Sequence, residues 1–342
     1  MSIYGLPENE ARADGLCTAR VIGQQRGQYR IVTAAGECAA VVSGRLRHEV
    51  LTPSDFPAVG DFVLADMAQG GEAVIRSVLQ RKSSFVRRAA GSARQEQVVA
   101  ANVDTVFLCM SLNRDFSLRR LERDLAVAWE SGASPVVVLT KADLCGDARR
   151  FALEAESVAV GVPVLVTTSL AEDGLAALAP YLRPGRTVAF IGSSGVGKST
   201  MINRLLGETR QATGGLRGDD RGRHTTTSRE LLPLESGALL LDTPGMREMG
   251  MWDAQEGIDR TFADVRALAA QCRFSDCTHG GEPGCAVQRA IREGGLAPER
   301  LAAFVRLSAE SAYAQDSAGY LAQKERKFKK IAKINKARRS AR

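Results

Sequence analysis

A multidomain fold is predicted by three observations: five short β-rich runs before residue 80, apolar strands alternating with helices around a glycine-rich loop, and a compact cysteine–histidine cluster near residue 280. They divide the chain into an N-terminal β-barrel at 1–80, a linker at 81–97, a central α/β domain at 98–250 and a mostly helical metal-binding domain at 251–342. A chain of 342 residues has room for that many cores.

The barrel runs are Thr18 to Ile22, Tyr29 to Thr33, Cys38 to Val42, Asp61 to Ala65 and Ala73 to Val78. Short strands with few helices between them, separated by glycines, indicate a small closed barrel of the oligonucleotide-binding (OB) type. Arg45, Arg47 and His48 follow the third run, where such a barrel exposes a loop suited to RNA. The text RKSSFVRRAAGSARQEQ at 81–97 is polar and basic and is expected to link or to move.

The central domain is expected to run as strand Val103 to Met110, helix Leu118 to Glu130, strand Pro135 to Leu139, helix Ala148 to Val160, strand Pro163 to Val166 and helix Gly174 to Leu182. The strand Thr187 to Ile191, a helix through Met201 to Leu206 and strands around Leu231 and Ala238 to Leu241 complete it. Alternation of this kind gives a parallel-rich sheet covered on both faces.

Between strand and helix stands Gly192, Ser193, Ser194, Gly195, Val196, Gly197, Lys198, Ser199, Thr200, the pattern of a phosphate loop in its required context. Its glycines let backbone N–H groups turn toward phosphate oxygens at a helix N-terminus. Lys198 would reach the β and γ phosphates, and Ser199 would ligate Mg2+. After the strand PVVVL come Thr140, Lys141, Ala142 and Asp143. A carboxylate at Asp143 can accept both the ring N–H and the amine of guanine, which selects GTP and GDP over ATP. The Lys141 stem would pack along the base, with Thr168 and Ser169 behind it. In LLLDTPGM, Asp242 would hold Mg2+ through water and Gly245 would contact the γ-phosphate. The polar segment GDDRGRHTTT can act as a switch, with Thr226 favoured over Thr225 and Thr227 as the Mg2+ ligand.

Ordinary GTPases place the phosphate loop first and the base-recognition motif last; here the order is reversed, a circular permutation. The motif order, RGRHTTT and the metal cluster together make the chain similar to the ribosome small-subunit-dependent GTPase A (RsgA) family. The resemblance covers nearly the whole chain. It implies a GTP hydrolase stimulated by the small ribosomal subunit, acting late in that subunit's maturation and touching its rRNA. Thr140 replaces the Asn usual in GTPases, and Met246 stands where many carry a water-orienting Gln. Slow intrinsic hydrolysis is therefore expected, with His224 the candidate for orienting water. The permuted order also leads DTPGM directly through Arg247 to Asp253 into the C-terminal domain, so nucleotide state can pull on it. Two other readings use the same residues: an RNA-docking checkpoint that senses guanine nucleotides, and an unrelated P-loop ATPase or kinase.

Cys272, Cys277, His279 and Cys285 are spaced to close on one ion. Three thiolates and an imidazole suit tetrahedral Zn2+, and four protein ligands leave it structural. The family's metal motif has the same ligands. The remaining cysteines, Cys17, Cys38, Cys109 and Cys145, lie in or beside apolar runs and are expected to be inert.

Net charge is +7, yet Gln323 to Arg342 holds ten Lys or Arg against the single acid Glu325. Without that segment the chain sums to −2. Lys327, Lys329 and Lys330, interleaved with Phe328 and Ile331, mark an amphipathic cationic helix suited to RNA. No apolar run spans a bilayer and the start is unlike a signal peptide, which leads to the expectation of a cytoplasmic protein without a membrane partner. No segment suggests an obligate interface, so a monomer is expected.

Overall fold

The computed structural model describes residues 3–6, 15–25, 27–50, 52–67, 72–88, 96–113, 115–207, 229–242 and 254–315. The chain divides into two compact units, 1–250 and 251–342.

The first unit opens with β1 (Cys17–Gln25), β2 (Gln28–Thr33), β3 (Gly36–Val42), β4 (Phe62–Met67) and β5 (Glu72–Val78). They pair in the order β1-β2-β3-β5-β4, and β4 returns to β1, closing a five-stranded barrel. The segment after β3 is a short helix, α1 (Gly44–Glu49), where the sequence suggested an exposed loop. Ser43 decides this, because its hydroxyl accepts the Leu46 N–H at 3.0 Å and caps the first turn. Arg45 and Arg47 both lie on that helix, and exposed Arg45 pairs with Glu49 at 2.7 Å.

The segment read as a linker, 81–97, holds β6 (Ser84–Arg88), which pairs antiparallel with β7 (Glu96–Ala101) beginning at that segment's end. Local polarity hides the reason: Phe85, Val98, Val99, Ala100 and Ala101 are buried, and Ala58 from the barrel packs with Val98 and Ala101. Burial of those apolar residues outweighs the polar text around them.

The α/β sheet follows with β8 (Thr105–Ser111), α2 (Leu118–Ser131), β9 (Ser134–Thr140), α3 (Ala148–Val158), β10 (Val164–Val166), β11 (Thr187–Ile191), α4 (Lys198–Leu206), β12 (Arg229–Pro233) and β13 (Leu239–Asp242). Their order is β10-β9-β8-β11-β13-β12, parallel throughout except for β12. The expected helix at 174–182 is instead a 3-10 turn at Ala176–Tyr181. Pro180 within it has no N–H to continue an α-helix. Phe107, Val136, Val138, Val188, Phe190 and Leu240 form the core beneath the sheet.

Sheet and barrel are continuous, since β1 pairs antiparallel with β12 through Gly23–Glu230 and Gln24–Arg229. Arg20 ties them further. It is 2% exposed and donates to the Tyr4 carbonyl at 2.9 Å and Thr187 Oγ1 at 2.7 Å, while its guanidinium lies 4.7 Å from the Phe62 ring centroid. Burial lowers its pKa to about 10, with Asp104 and Asp61 opposing.

The second unit contains α5 (Gln255–Thr261), α6 (Ala263–Ala269), α7 (Ala286–Arg292) and α8 (Pro298–Gln315). Ile258, Phe262, Val265, Val287 and Leu307 are buried, with the Phe262 and Phe304 rings 5.6 Å apart. Arg300 joins α8 to α5 and α6, donating to the Thr261 carbonyl at 2.6 Å and pairing with Asp264 at 3.1 Å. No helix among the described residues is long and apolar enough to cross a membrane.

Candidate functional site

The central position of β11, between β8 and β13, sets the site. A parallel sheet gathers its ligand-binding loops at the carboxyl ends of its strands. Here that edge brings together Gly192–Thr200 after β11, Thr140–Asp143 after β9, Thr167–Gly174 after β10 and Asp242 at the end of β13.

The phosphate loop turns on Gly192. Its φ is +146°, and a Cβ there would stand 2.3 Å from the Cys109 carbonyl of β8, so only glycine allows this approach. α4 starts at Lys198, behind a left-handed Gly197, and presents its N-terminal N–H groups to the loop. The Lys198 ammonium is 7% exposed and donates to the carbonyls of Gly192 and Ser193, the latter at 2.6 Å. Ser199 is half-buried on the first helical turn, whereas Ser194, Gly195 and Thr200 are exposed at the rim. Cys109 lies fully buried below, where desolvation pushes its thiol up to about 12 against the pull of Lys198. It is chemically quiet. Cys17, Cys38 and Cys145 are half-buried.

More than fifty residues earlier in the chain, the segment after β9 grips this loop directly. The buried Thr140 hydroxyl donates to the Val196 carbonyl at 2.6 Å, and Lys141, held at φ 58°, donates from Nζ to the Gly195 carbonyl at 2.6 Å. Asp143 is exposed, and its Oδ1 accepts the Thr168 hydroxyl at 2.5 Å. Ala142 N–H donates to the Thr167 carbonyl at 3.1 Å, which docks the two loops. One carboxylate oxygen is thus oriented by protein while the group as a whole faces outward.

Sequence reasoning missed what holds the second loop. Arg204, half-buried in the last turn of α4, donates from Nη1 to the Ser169 carbonyl at 2.9 Å and from Nη2 to the Glu172 carbonyl. A basic residue in a helix offers no signal of which backbone it will meet. Asp124 on α2 was missed too; desolvation raises its carboxyl to about 7 although Arg120, Arg123 and Lys198 oppose the shift. His224, Thr225, Thr226, Thr227, Gly245, Met246 and the segment Arg247 to Asp253 lie outside the described residues, as do Lys327, Lys329 and Lys330.

In the second unit, one ligand atom from each of Cys272, Cys277, His279 and Cys285 falls within 4.8 Å of the others. Cys272 Sγ is 3.8 Å from Cys285 Sγ, and His279 Nδ1 is 3.7 and 3.5 Å from them. A tetrahedron with Zn–S bonds of about 2.3 Å has edges of about 3.8 Å, so the donor set fits Zn2+ bound through Nδ1 of the histidine. The surroundings hold the donors in place. Glu282 accepts the Thr278 N–H at 3.0 Å and the Gly280 N–H at 2.8 Å, while Gln288 Nε2 donates to the His279 carbonyl at 2.7 Å. Those hydrogen bonds, with Thr278 Oγ1 first among them, pull the Glu282 carboxyl down to about 2.

The sequence model of the RsgA GTPase family matches residues 78–252. Curated relatives agree. A small ribosomal subunit biogenesis GTPase RsgA of Opitutus terrae is 49% identical over 339 residues, 95% of this chain and 92% of its own. Another from Lactiplantibacillus plantarum is 49% identical over 304 residues, 88% of this chain and 85% of its own. The chain belongs to the RsgA GTPase family. Among solved structures, YjeQ from Thermotoga maritima superposes with a TM-score of 0.64 at 27% identity, covering 85% of this chain and 97% of that one. YloQ, a circularly permuted GTPase, gives 0.63 at 25% identity, covering 88% and 97%. As an RsgA GTPase the chain is a GTP hydrolase, with the closed barrel and permuted α/β sheet described above.

Proposed function

We propose that this RsgA-family chain hydrolyses GTP in the service of small ribosomal subunit maturation, with the subunit itself stimulating turnover and GTP state controlling release. The observation that carries the reading is the meeting of two loops: Thr140 and Lys141 bond to the Val196 and Gly195 carbonyls, across more than fifty positions of a permuted chain. That meeting brings Asp143 and the Gly192–Thr200 loop to one sheet edge, which supports reading them as base acceptor and phosphate cradle. The names of the relatives supply the biological setting, since each is a small ribosomal subunit biogenesis GTPase.

In this reading Asp143 accepts the guanine N–H groups, backed by Thr168 and Ser169, and Lys198 with the loop N–H groups holds the phosphates. Ser199, Thr226 and Asp242 take Mg2+, which neutralises charge developing on the phosphoryl oxygens. Gly245 contacts the γ-phosphate and His224 orients the attacking water. Zn2+ at Cys272, Cys277, His279 and Cys285 stabilises a segment too short to fold on apolar burial alone. rRNA is met by Arg45 and Arg47 on α1, by the metal domain and by Lys327, Lys329 and Lys330. The protein works as a cytoplasmic monomer.

GTP turnover with and without purified small subunits tests the proposal. Turnover raised many-fold by subunits supports it, and an unchanged rate refutes the stimulated role. ATP competing as well as GDP for the site would refute the role of Asp143.

A further inference from the structure

The turn at 168–174 has no strand or helix of its own to hold it at the sheet edge. It closes on itself through Thr168 N–H to the Gly174 carbonyl at 3.2 Å, Gly174 N–H to the Ala171 carbonyl at 3.1 Å and Leu170 N–H to Thr168 Oγ1 at 3.1 Å. The closure is tight: a Cβ on Gly174 would stand 2.1 Å from the Thr168 carbonyl. Leu170 at its tip is 80% exposed, so apolar burial does little to fix it.

What fixes it is a guanidinium. Arg204 donates to two carbonyls of the turn, those of Ser169 at 2.9 Å and Glu172. Two donors in a rigid planar fork set both position and angle of the backbone they grip, which an ammonium on a flexible stem does not. Thr168, at the start of the turn, then gives its hydroxyl proton to a hydrogen bond with Asp143 Oδ1 at 2.5 Å.

We propose that Arg204 is a positioning residue for guanine recognition, holding the 168–174 turn so that Thr168 presents the Asp143 carboxylate to the base. The inference rests on the reading of Asp143 as the base acceptor. α4 then serves both ends of the nucleotide. Its first turn carries Lys198 and its last carries Arg204, six residues on, a rise of about 9 Å along the axis. A single rigid helix thereby sets the separation between the phosphate cradle and the base loop. Arg204 touches no substrate in this scheme; it acts through Thr168.

Displacement of a fluorescent GDP from the full chain, by GDP, ADP and inorganic tripolyphosphate, tests this in wild type, Arg204→Ala, Arg204→Lys and Asp143→Asn. Removal of two charge-assisted hydrogen bonds predicts GDP binding about 10- to 100-fold weaker in Arg204→Ala. Tripolyphosphate, which has no base, is expected to compete as in wild type. Arg204→Lys, able to serve one carbonyl, should fall between, and in turnover the effect should fall on KM more than on kcat. Wild-type GDP affinity in Arg204→Ala overturns the inference. So does an equal weakening for tripolyphosphate, which would make Arg204 a support of the phosphate loop. If the alanine variant fails to fold, Arg204→Lys and Arg204→Gln decide by the same comparison of GDP with tripolyphosphate. Asp143→Asn keeps the two ideas apart, because unchanged preference for GDP over ADP in that variant removes the base reading whatever Arg204 does.

Discussion

Thr140 shows how one atom changes the meaning of a motif. Its hydroxyl donates to the phosphate loop at Val196 rather than toward the base, so the position braces two loops together. Thr140→Val keeps the volume and removes the donor, leaving a buried carbonyl with a weaker complement. GDP affinity is expected to fall by about 1 kcal/mol, several-fold, measured by titration calorimetry. Asp124 offers a pH test. Its folded pKa of about 7 lies above the ordinary 3.8 because burial disfavours the charge. Between those values the folded chain binds more protons than the unfolded chain at this site, so stability falls as pH rises through the window. Asp124→Asn is expected to match wild type near pH 4 and to be the more stable of the two near pH 8 in urea melts. A difference independent of pH would show that the titration is not responsible.

At the scale of elements, the metal knuckle and the short helix α1 answer to different forces. In the knuckle, Cys272 and Cys277 are only half-buried and the loop is held by Glu282 and Gln288 hydrogen bonds. Its stability should therefore depend on the ion. Cys285→Ser, or treatment with a chelator, is expected to abolish stoichiometric zinc on elemental analysis and to unfold 272–285 first, seen as reduced amide protection there. Protection persisting after metal removal would mark the hydrogen bonds as sufficient. In α1, Arg45 is bonded to Glu49, but both side chains are exposed and solvent screens the pair, so it does little to withhold Arg45 from a polyanion.

Across the molecule, the pairing of β1 with β12 makes barrel and GTPase sheet one continuous surface, and β12 begins directly after the segment that carries His224 and Thr226. Charge follows another plan. The segment Gln323 to Arg342 carries +9 on a remainder of −2, so the chain's excess positive charge is concentrated there. Its removal should weaken binding to small subunits and flatten the dependence of log K on log salt by about 0.7–0.9 for each phosphate that the segment neutralises. An unchanged slope in filter binding would assign the affinity to the barrel and metal domain instead.

Much of this was legible in the residues themselves. The barrel strands, the glycine-rich loop, the TKAD segment and the cluster of three cysteines and a histidine are set by local alternation, turn chemistry and spacing, which act within a few positions. Motif order alone disclosed the permutation. Other features depend on contacts between segments far apart in the chain. The ribbon of β6 and β7 exists because Phe85 and Val98 find a core, whereas the Ser43 cap on α1 and the stop at Pro180 act within a single turn of the chain. The partners of Thr140, Asp143 and Arg204 could be known only once β9, β10 and β11 were brought into one sheet. Hydrogen bonds are directional over about 3 Å, and no pattern along a chain states which distant carbonyl will come within that reach.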